Sequence, residues 1–340
     1  MSARLCTVFS SDLARGCGVV ALALASGCSL NPATSAGAPV GGGFAQQQQS
    51  SARAAQSVRM DAAACGTHLI YVASYNNTVQ IFNQSGPRQG ACGSISGLSN
   101  PQGLFVDASG DLWVVNQGPK QILEFPPGGQ MPMLTLSDPS GYPVDVAVDN
   151  HSGTVYVSNF FQNGSEPGAI EVYPKGATSP TATLSDPNMQ YAFYDAVDDK
   201  GNLYVTYLEG GNFAPGQVDE WTGGTGSPTN LGITLKAPGG IATTKSGALL
   251  ICDQSAPACG QFAPGSTTMT NLFATKESDP FAVALGRTDM RAYVEDPGSG
   301  KFYAYNYPGP DRRPKSAIAV TGGAYAGIAV SPAAPEGKPW

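Results

Sequence analysis

Residues 143–159 read PVDVAVDNHSGTVYVSN. An apolar run, Val146–Val148, meets a polar turn with Gly153. A second apolar run, Val155–Val157, follows and ends at Asn159. Two short β-branched runs around a Gly-bearing turn read as a hairpin. The pattern recurs as PQGLFVDASGDLWVVN from Pro101, AFYDAVDDKGNLYVTY from Ala192, PGGIATTKSGALLICD from Pro238, PFAVALGRTDMRAYVED from Pro280 and YAGIAVSP from Tyr325. Counted from Pro101 through Pro143, the starts are 42, 49, 46, 42 and 45 residues apart. A repeat of this length is the size of a four-stranded propeller blade.

Each unit has room for two more strands. The unit from Pro101 predicts strands at Leu104–Val106, Leu112–Val115, Ile122–Phe125 and Met133–Leu136. The unit from Pro143 predicts Val146–Val148, Val155–Val157, Ile170–Tyr173 and Thr181–Leu184. First strands are short and rich in small residues, as strands around a narrow channel should be. The last unit stops after Ile328–Val330, whereas the first folded residues, Leu69–Ala73, look like a second strand. A ring closed by the C-terminal strand joining the N-terminal blade repairs both ends and leaves no open seam. The expectation is an all-β, six-bladed propeller of four-stranded antiparallel blades over 65–332, with a Pro-rich tail at 333–340.

Composition agrees. Charged residues are 13% of the chain, with 43 Gly and 27 Pro, which favours short strands and tight turns over long polar helices. The net charge of −7 and the lack of a basic stripe exclude a nucleic-acid surface.

The N-terminus reads as an export signal. Arg4 and Arg15 precede an apolar run, Gly18–Ala25, too short to span a bilayer. Leu24-Ala25-Ser26-Gly27-Cys28 resembles a bacterial lipobox, which implies a signal of residues 1–27, cleavage before Cys28 and a lipid on its sulfur. Ordinary cleavage near Ala36-Gly37-Ala38 is the alternative. Residues 28–64 are rich in Gly, Ala and Gln and have no hydrophobic period, so they read as a disordered tether. With Cys6 and Cys17 in the signal and Cys28 lipidated, four cysteines remain. Their spacing favours Cys65–Cys92 and Cys252–Cys259 as disulfides of an oxidising compartment.

The segments IYVAS (70–74), VYVSN (155–159) and LYVT (203–206) resemble the NHL/YVTN class of propellers. The resemblance implies the architecture over about 66–332. It implies no single function, because such propellers include enzymes and binding scaffolds.

In a propeller, the loops into the first strand and out of the second share one face, the channel mouth. On that face the alignment places Asp145, Tyr194 and Asp195 at inner-strand starts. Ser74, Asn116, Asn159, Tyr207, Asp253 and Asp296 fall at second-strand ends. Asp145 stands out because Gly103, Gly240, Ala282 and Gly327 hold the comparable positions. Phe160 and Phe161 follow Asn159 in an expanded loop, Phe160–Gly168, and Tyr75, Tyr142, Tyr191, Phe193, Phe213, Phe281 and Tyr325 crowd nearby. Asp145, Asn159, Phe160, Phe161, Tyr194, Asp195 and Asp253 are therefore the candidate ligand-binding residues. Asp145, Asp195, Asp253 and Asp296 are the candidate metal ligands, for a divalent cation if any cofactor is used. Asp107, Asp149 and Asp198 are expected to be turn residues of the opposite face.

Chemistry is sparse. The two histidines, His68 and His151, lie off the mouth, against the lyase-type propellers that use histidine. HExxH, GxSxG and Walker loops are absent. The reading is a monomeric, exported and lipid-anchored binding module in the bacterial periplasm, at the outer membrane or on the cell surface. It takes an envelope protein, peptide or glycan and has no catalytic residue. The alternative is a metal-dependent lactonase or lyase of the gluconolactonase type, with an acidic channel-mouth site.

Overall fold

The computed structural model describes residues 65–331, apart from 211–214, 257, 274–278, 287–290 and 310–312. The expected signal, Cys28, the whole tether and the tail lie outside the described residues.

The course begins with β1 (Leu69–Ser74), β2 (Thr78–Asn83) and β3 (Gly93–Ile95). Blade 2 is β4 (Pro101–Val106), β5 (Leu112–Asn116), β6 (Gln121–Phe125) and β7 (Leu134–Ser137). Blade 3 is β8 (Gly141–Val148), β9 (Val155–Gln162), β10 (Ala169–Tyr173) and β11 (Ala182–Leu184). Blade 4 is β12 (Met189–Val197), β13 (Leu203–Glu209), β14 (Gly216–Trp221) and β15 (Thr229–Asn230). Blade 5 is β16 (Pro238–Thr243), β17 (Leu249–Asp253), β18 (Ala258–Phe262) and β19 (Thr270–Phe273). Blade 6 is β20 (Val283–Leu285), β21 (Arg291–Asp296), β22 (Lys301–Asn306) and β23 (Ser316–Ala319). The final strand, β24 (Ala324–Ser331), pairs antiparallel with β1 and completes blade 1 in the order β24-β1-β2-β3. The molecule is thus a six-bladed propeller closed as expected. The inner strands β4, β8, β12, β16, β20 and β24 stand side by side in that order around the channel.

β24 is matched to its place. Val330 faces Ile70 and Ile328 faces Val72 across the pair, and all eight of its residues are buried. Gly327 sits where the backbone of β4 comes closest: a Cβ there would stand 2.2 Å from the Gln102 carbonyl oxygen. Glycine is needed for that approach. On the other side of the seam, Phe82 of blade 1 meets Phe302 of blade 6 edge-on at 5.0 Å.

Inner strands begin earlier than their apolar cores. The register slips between Pro101 and Leu104, Pro143 and Asp145, Ala192 and Asp195, and Pro238 and Ile241. A bulge breaks the two-residue alternation and re-aims the residues around it. That is why the apolar period marks only Leu104–Val106 and Val146–Val148. The second correction is at Phe160–Gly168. β9 runs on through Phe160 and Phe161 to Gln162, which pairs with Gly141, so the first three residues of the expected loop are strand.

The turn aspartates behave as expected. Asp107 accepts the Ser109 and Asp111 amides and the Trp113 Nε1–H. Asp149 accepts the His151 amide, and Asp198 those of Lys200 and Asn202. These bonds hold each first turn and define the turn face, opposite the mouth.

Both expected disulfides form. Cys65–Cys92 ties the start of the domain to the residue before β3, and Cys252–Cys259 links facing residues of β17 and β18. They close loops of 27 and 7 residues. Chain-entropy reasoning gives about 3.5 and about 2 kcal/mol respectively. The first is the larger contribution, and it falls on the blade built from both chain ends.

Candidate functional site: the channel mouth and channel

Residues at second-strand ends mostly hold their own blade. Asn116 accepts the Ser99 amide at 2.7 Å. Asp253 accepts three backbone amides, from Lys236, Ala237 and Ala256, at 2.8–3.1 Å. Asp296 accepts the Ser299 amide. Asn159 donates from Nδ2 to Asp138 Oδ2 at 2.9 Å and lies over Gly141, where a Cβ would strike it at 1.9 Å. Burial raises the Asp138 pKa, while Asn159, Gly141 and the Lys120 charge hold it back. Asn159 and Asp253 are therefore bound into loop scaffolding, and Asp253 has little left to offer a ligand.

The structure joins two of the four acidic candidates. The Asp195 amide donates to Asp145 Oδ2 at 3.0 Å, across neighbouring inner strands. Asp195 Oδ2 accepts the Ser158 hydroxyl at 2.7 Å, and Asp195 Oδ1 is buried with no hydrogen-bond partner among the described residues. The Asp145 carboxyl lies over Gly103, whose Cβ would stand 2.0 Å from its Oδ1. Burial, and then the charge of Asp195, push Asp145 well above the usual carboxylate range. Burial pushes Asp195 up to about 7, with the Ser158 hydroxyl and amide pulling the other way. Two buried carboxyls side by side cannot both ionise cheaply, so near neutral pH the pair keeps one proton between them.

Tyr194 crosses the channel. It rises from β12 in blade 4 and its hydroxyl reaches the Ala326 carbonyl oxygen of β24, in the opposite blade, at 3.4 Å. Its ring meets Phe281 edge-on at 5.6 Å. Burial, then the Glu295 and Asp145 charges, raise its phenol well above the ordinary value.

Glu295 and Asp279 were not singled out by the sequence reading. Glu295 is wholly buried, and among the described residues neither carboxylate oxygen has a hydrogen-bond partner of ordinary geometry. Burial, then Asp296 and Asp279, raise its pKa, and the Ala326 and Ala282 amides ease the shift. Asp279 is pushed up to about 7 by burial and by Asp296. A signal existed. The residue aligned with Glu295 is Ala73, Val115, Ser158, Thr206 or Cys252 in the other blades, so a carboxylate there is out of pattern.

The aromatic rim is a continuous wall. Tyr142 stacks on Phe161 at 4.6 Å and Phe160 stacks on Tyr191 at 4.6 Å. Phe160 meets Phe161 and Phe193 edge-on at 5.7 and 5.2 Å. All five rings are half-buried. They come from blades 3 and 4 because β9 is long enough to carry Phe160 and Phe161 alongside Tyr191 and Phe193 of β12. On the far side of the mouth Tyr75, 49% exposed, packs on Tyr325 at 4.2 Å. Phe213 lies outside the described residues.

Below Tyr194 the channel holds a cavity of about 190 Å3 lined by all six inner strands. Asp145, Tyr194 and Asp195 line one end; Asn150, Asp199 and Lys245, all exposed, line the other. Among the described residues, one group of three carboxylates has oxygens within 4.8 Å of one another: Asp107, Asp111 and Glu124, on the turn face. Asp107 spends its oxygens there on N–H donors. Asp145 and Asp195 belong to no such group of three among the described residues.

No protein-family model matches the sequence, and no curated protein matches it. Among solved structures, the chain is similar to one from the crystal structure of a nidogen/laminin complex, with a TM-score of 0.64 and 18% identity over 79% of this chain and 100% of that one. At this identity the likeness establishes the fold alone. In all, 1109 chains of solved structures match, so the architecture is too widely shared to select one activity.

Proposed function

We propose that the protein is an exported, lipid-tethered propeller of the NHL/YVTN type, acting as a monomeric and non-enzymatic binding module for an envelope protein, peptide or glycan. The five-ring wall at the mouth carries this reading. Half-buried flat rings offer large contact area at low entropic cost, and they sit on rigid strand ends where no loop need be ordered. The committed state of Asp253 and Asp296 favours binding over a metal-centred reaction, since these side chains serve their own loops. Two formed disulfides fit an oxidising compartment. The similar propeller comes from a nidogen/laminin complex, in keeping with a propeller that binds another chain. In this reading residues 1–27 are removed, Cys28 carries the lipid and 28–64 hold the propeller off the membrane.

The test is retention of ligand from bacterial envelope extract and on a glycan array by the immobilised protein, beside a Tyr142→Ala/Phe161→Ala variant. The rings are half-exposed, so melting should hold. Loss of each anchoring ring should weaken capture about tenfold, the scale of a moderate interface anchor. Equal capture by both proteins would remove the wall from the site. For the tether, the wild type should fractionate with membranes and Cys28→Ser with the soluble phase; a Cys28→Ser protein still held by membranes would overturn the lipid assignment.

A further inference from the structure

We infer that the central channel is a second, separate binding site: a blind tube, entered from the turn face, that takes a primary alkylammonium group. The tube is blind because Tyr194 spans it from blade 4 to the Ala326 carbonyl of blade 1. Its outer end is ringed by exposed turn residues, Asn150, Asp199 and Lys245. Between the ends, side chains such as Leu104, Val146, Ile241, Val283 and Ile328 share the wall with polar groups of the inner strands. At the floor stand Asp145 and Asp195, 7% and 5% exposed.

Size, wall and floor together select the ligand. A dry apolar cavity of roughly 150 Å3 holds benzene, so about 190 Å3 accommodates a slender chain of some six heavy atoms. The narrow bore favours an unbranched alkyl body over a branched one. The floor favours a donor: Asp195 Oδ1 is buried without a partner among the described residues, and an unmatched buried carboxylate is stabilised by a cationic N–H donor more than by any neutral one. An anion would meet two carboxyls. A hard divalent cation wants six or more oxygens, whereas Asp145 and Asp195 are joined by no third carboxylate among the described residues. An ammonium on a straight chain satisfies every part.

That chemistry has two sources, a free alkylamine or a lysine side chain of a partner. The probes are therefore n-hexylamine and Nα-acetyl-lysine methylamide, with n-hexanol as the uncharged control, each titrated into the full-length protein by calorimetry. The expected result is binding of n-hexylamine, at least tenfold weaker binding of n-hexanol, and at least tenfold loss in Asp195→Asn. Binding of the lysine derivative as well assigns the site to a partner's lysine; binding of n-hexylamine alone assigns it to a free amine. Ala284→Leu is a second variant. It leaves the floor intact and fills the bore, since Ala284 lines the cavity, and it should abolish binding with both carboxyls untouched. No binding of either amine, or equal binding of hexanol and hexylamine, or full binding by Ala284→Leu, overturns the proposal. The mouth-wall variant Tyr142→Ala/Phe161→Ala should bind n-hexylamine normally, which keeps this site distinct from the one on the mouth.

Discussion

A chain lacking residues 324–340 is expected to lose its cooperative melting transition. The reason lies in what β24 does. It is the innermost strand of blade 1, yet it comes from the opposite end of the sequence. Its removal strips the partner from the inner edge of β1, leaving a row of backbone N–H and C=O groups beside the channel with no pairing. It also takes Ile328 and Val330 out of one core cluster and Ala329 out of another. Burial of the two larger side chains alone is worth about 3–6 kcal/mol. Lost strand pairing and an opened ring add to that, against a total stability of typically about 5–15 kcal/mol for a domain. The contacts of β24 with β4 and β20 vanish together, so neighbouring blades lose their packing at once. Near-ultraviolet circular dichroism and a thermal melt check this. A truncated protein with the parent's melting curve would mean that the ring is not held shut by β24.

The closure was legible because the defect is visible at both ends of the sequence. The last unit has a first strand and no second; the first has a second strand and no first. Strand content in each blade was legible from apolar runs such as Val155–Val157 and Ile122–Phe125. The mouth was legible only in parts. Phe160 and Phe161 are neighbours of Tyr142, Tyr191 and Phe193, as the alignment suggests, but on a strand and not a loop, because the bulge near Asp145 hides the continuing pair Gly141 with Gln162. Asp253 looked equivalent to a channel residue, and sequence does not reveal that three backbone amides converge on it. Asp145 and Asp195 are 50 residues apart and occupy different alignment columns, so nothing in the repeat pairs them. They meet because adjacent inner strands place the amide of one against the carboxylate of the other. The crossing of Tyr194 to Ala326 is a property of the channel's width, which no blade carries by itself.

Replacing Asp195 with Asn should make the protein more stable at pH 8 and change it little at pH 4. Asp195 carries a folded-state pKa of about 7, raised chiefly by burial, against about 3.9 in an unfolded chain. Between these values the folded protein keeps a proton that the unfolded chain has released. The unfolded state then binds fewer protons than the native one, so stability falls as pH rises. The contribution is fully present below about pH 4 and is lost as pH climbs through about 7. Three pKa units correspond to on the order of 4 kcal/mol, an upper figure because Asp145 shares the titration. Asparagine holds the neutral form at every pH, and its Oδ1 can still accept the Ser158 hydroxyl that Asp195 accepts now. The difference between Asp195→Asn and the parent should thus grow from near zero at pH 4 to about 10 °C in Tm at pH 8, taking 2–4 °C per kcal/mol for a domain of this size. Asp219 and Asp279, with pKa values raised to about 6 and about 7, tilt both profiles the same way, so the difference curve is the quantity to read. Asp145→Asn should act alike, and the double variant should give less than the sum, because either substitution relieves the same repulsion. Parallel melting profiles for parent and Asp195→Asn across pH 4–8 would show that the pair is solvated and carries no linked proton.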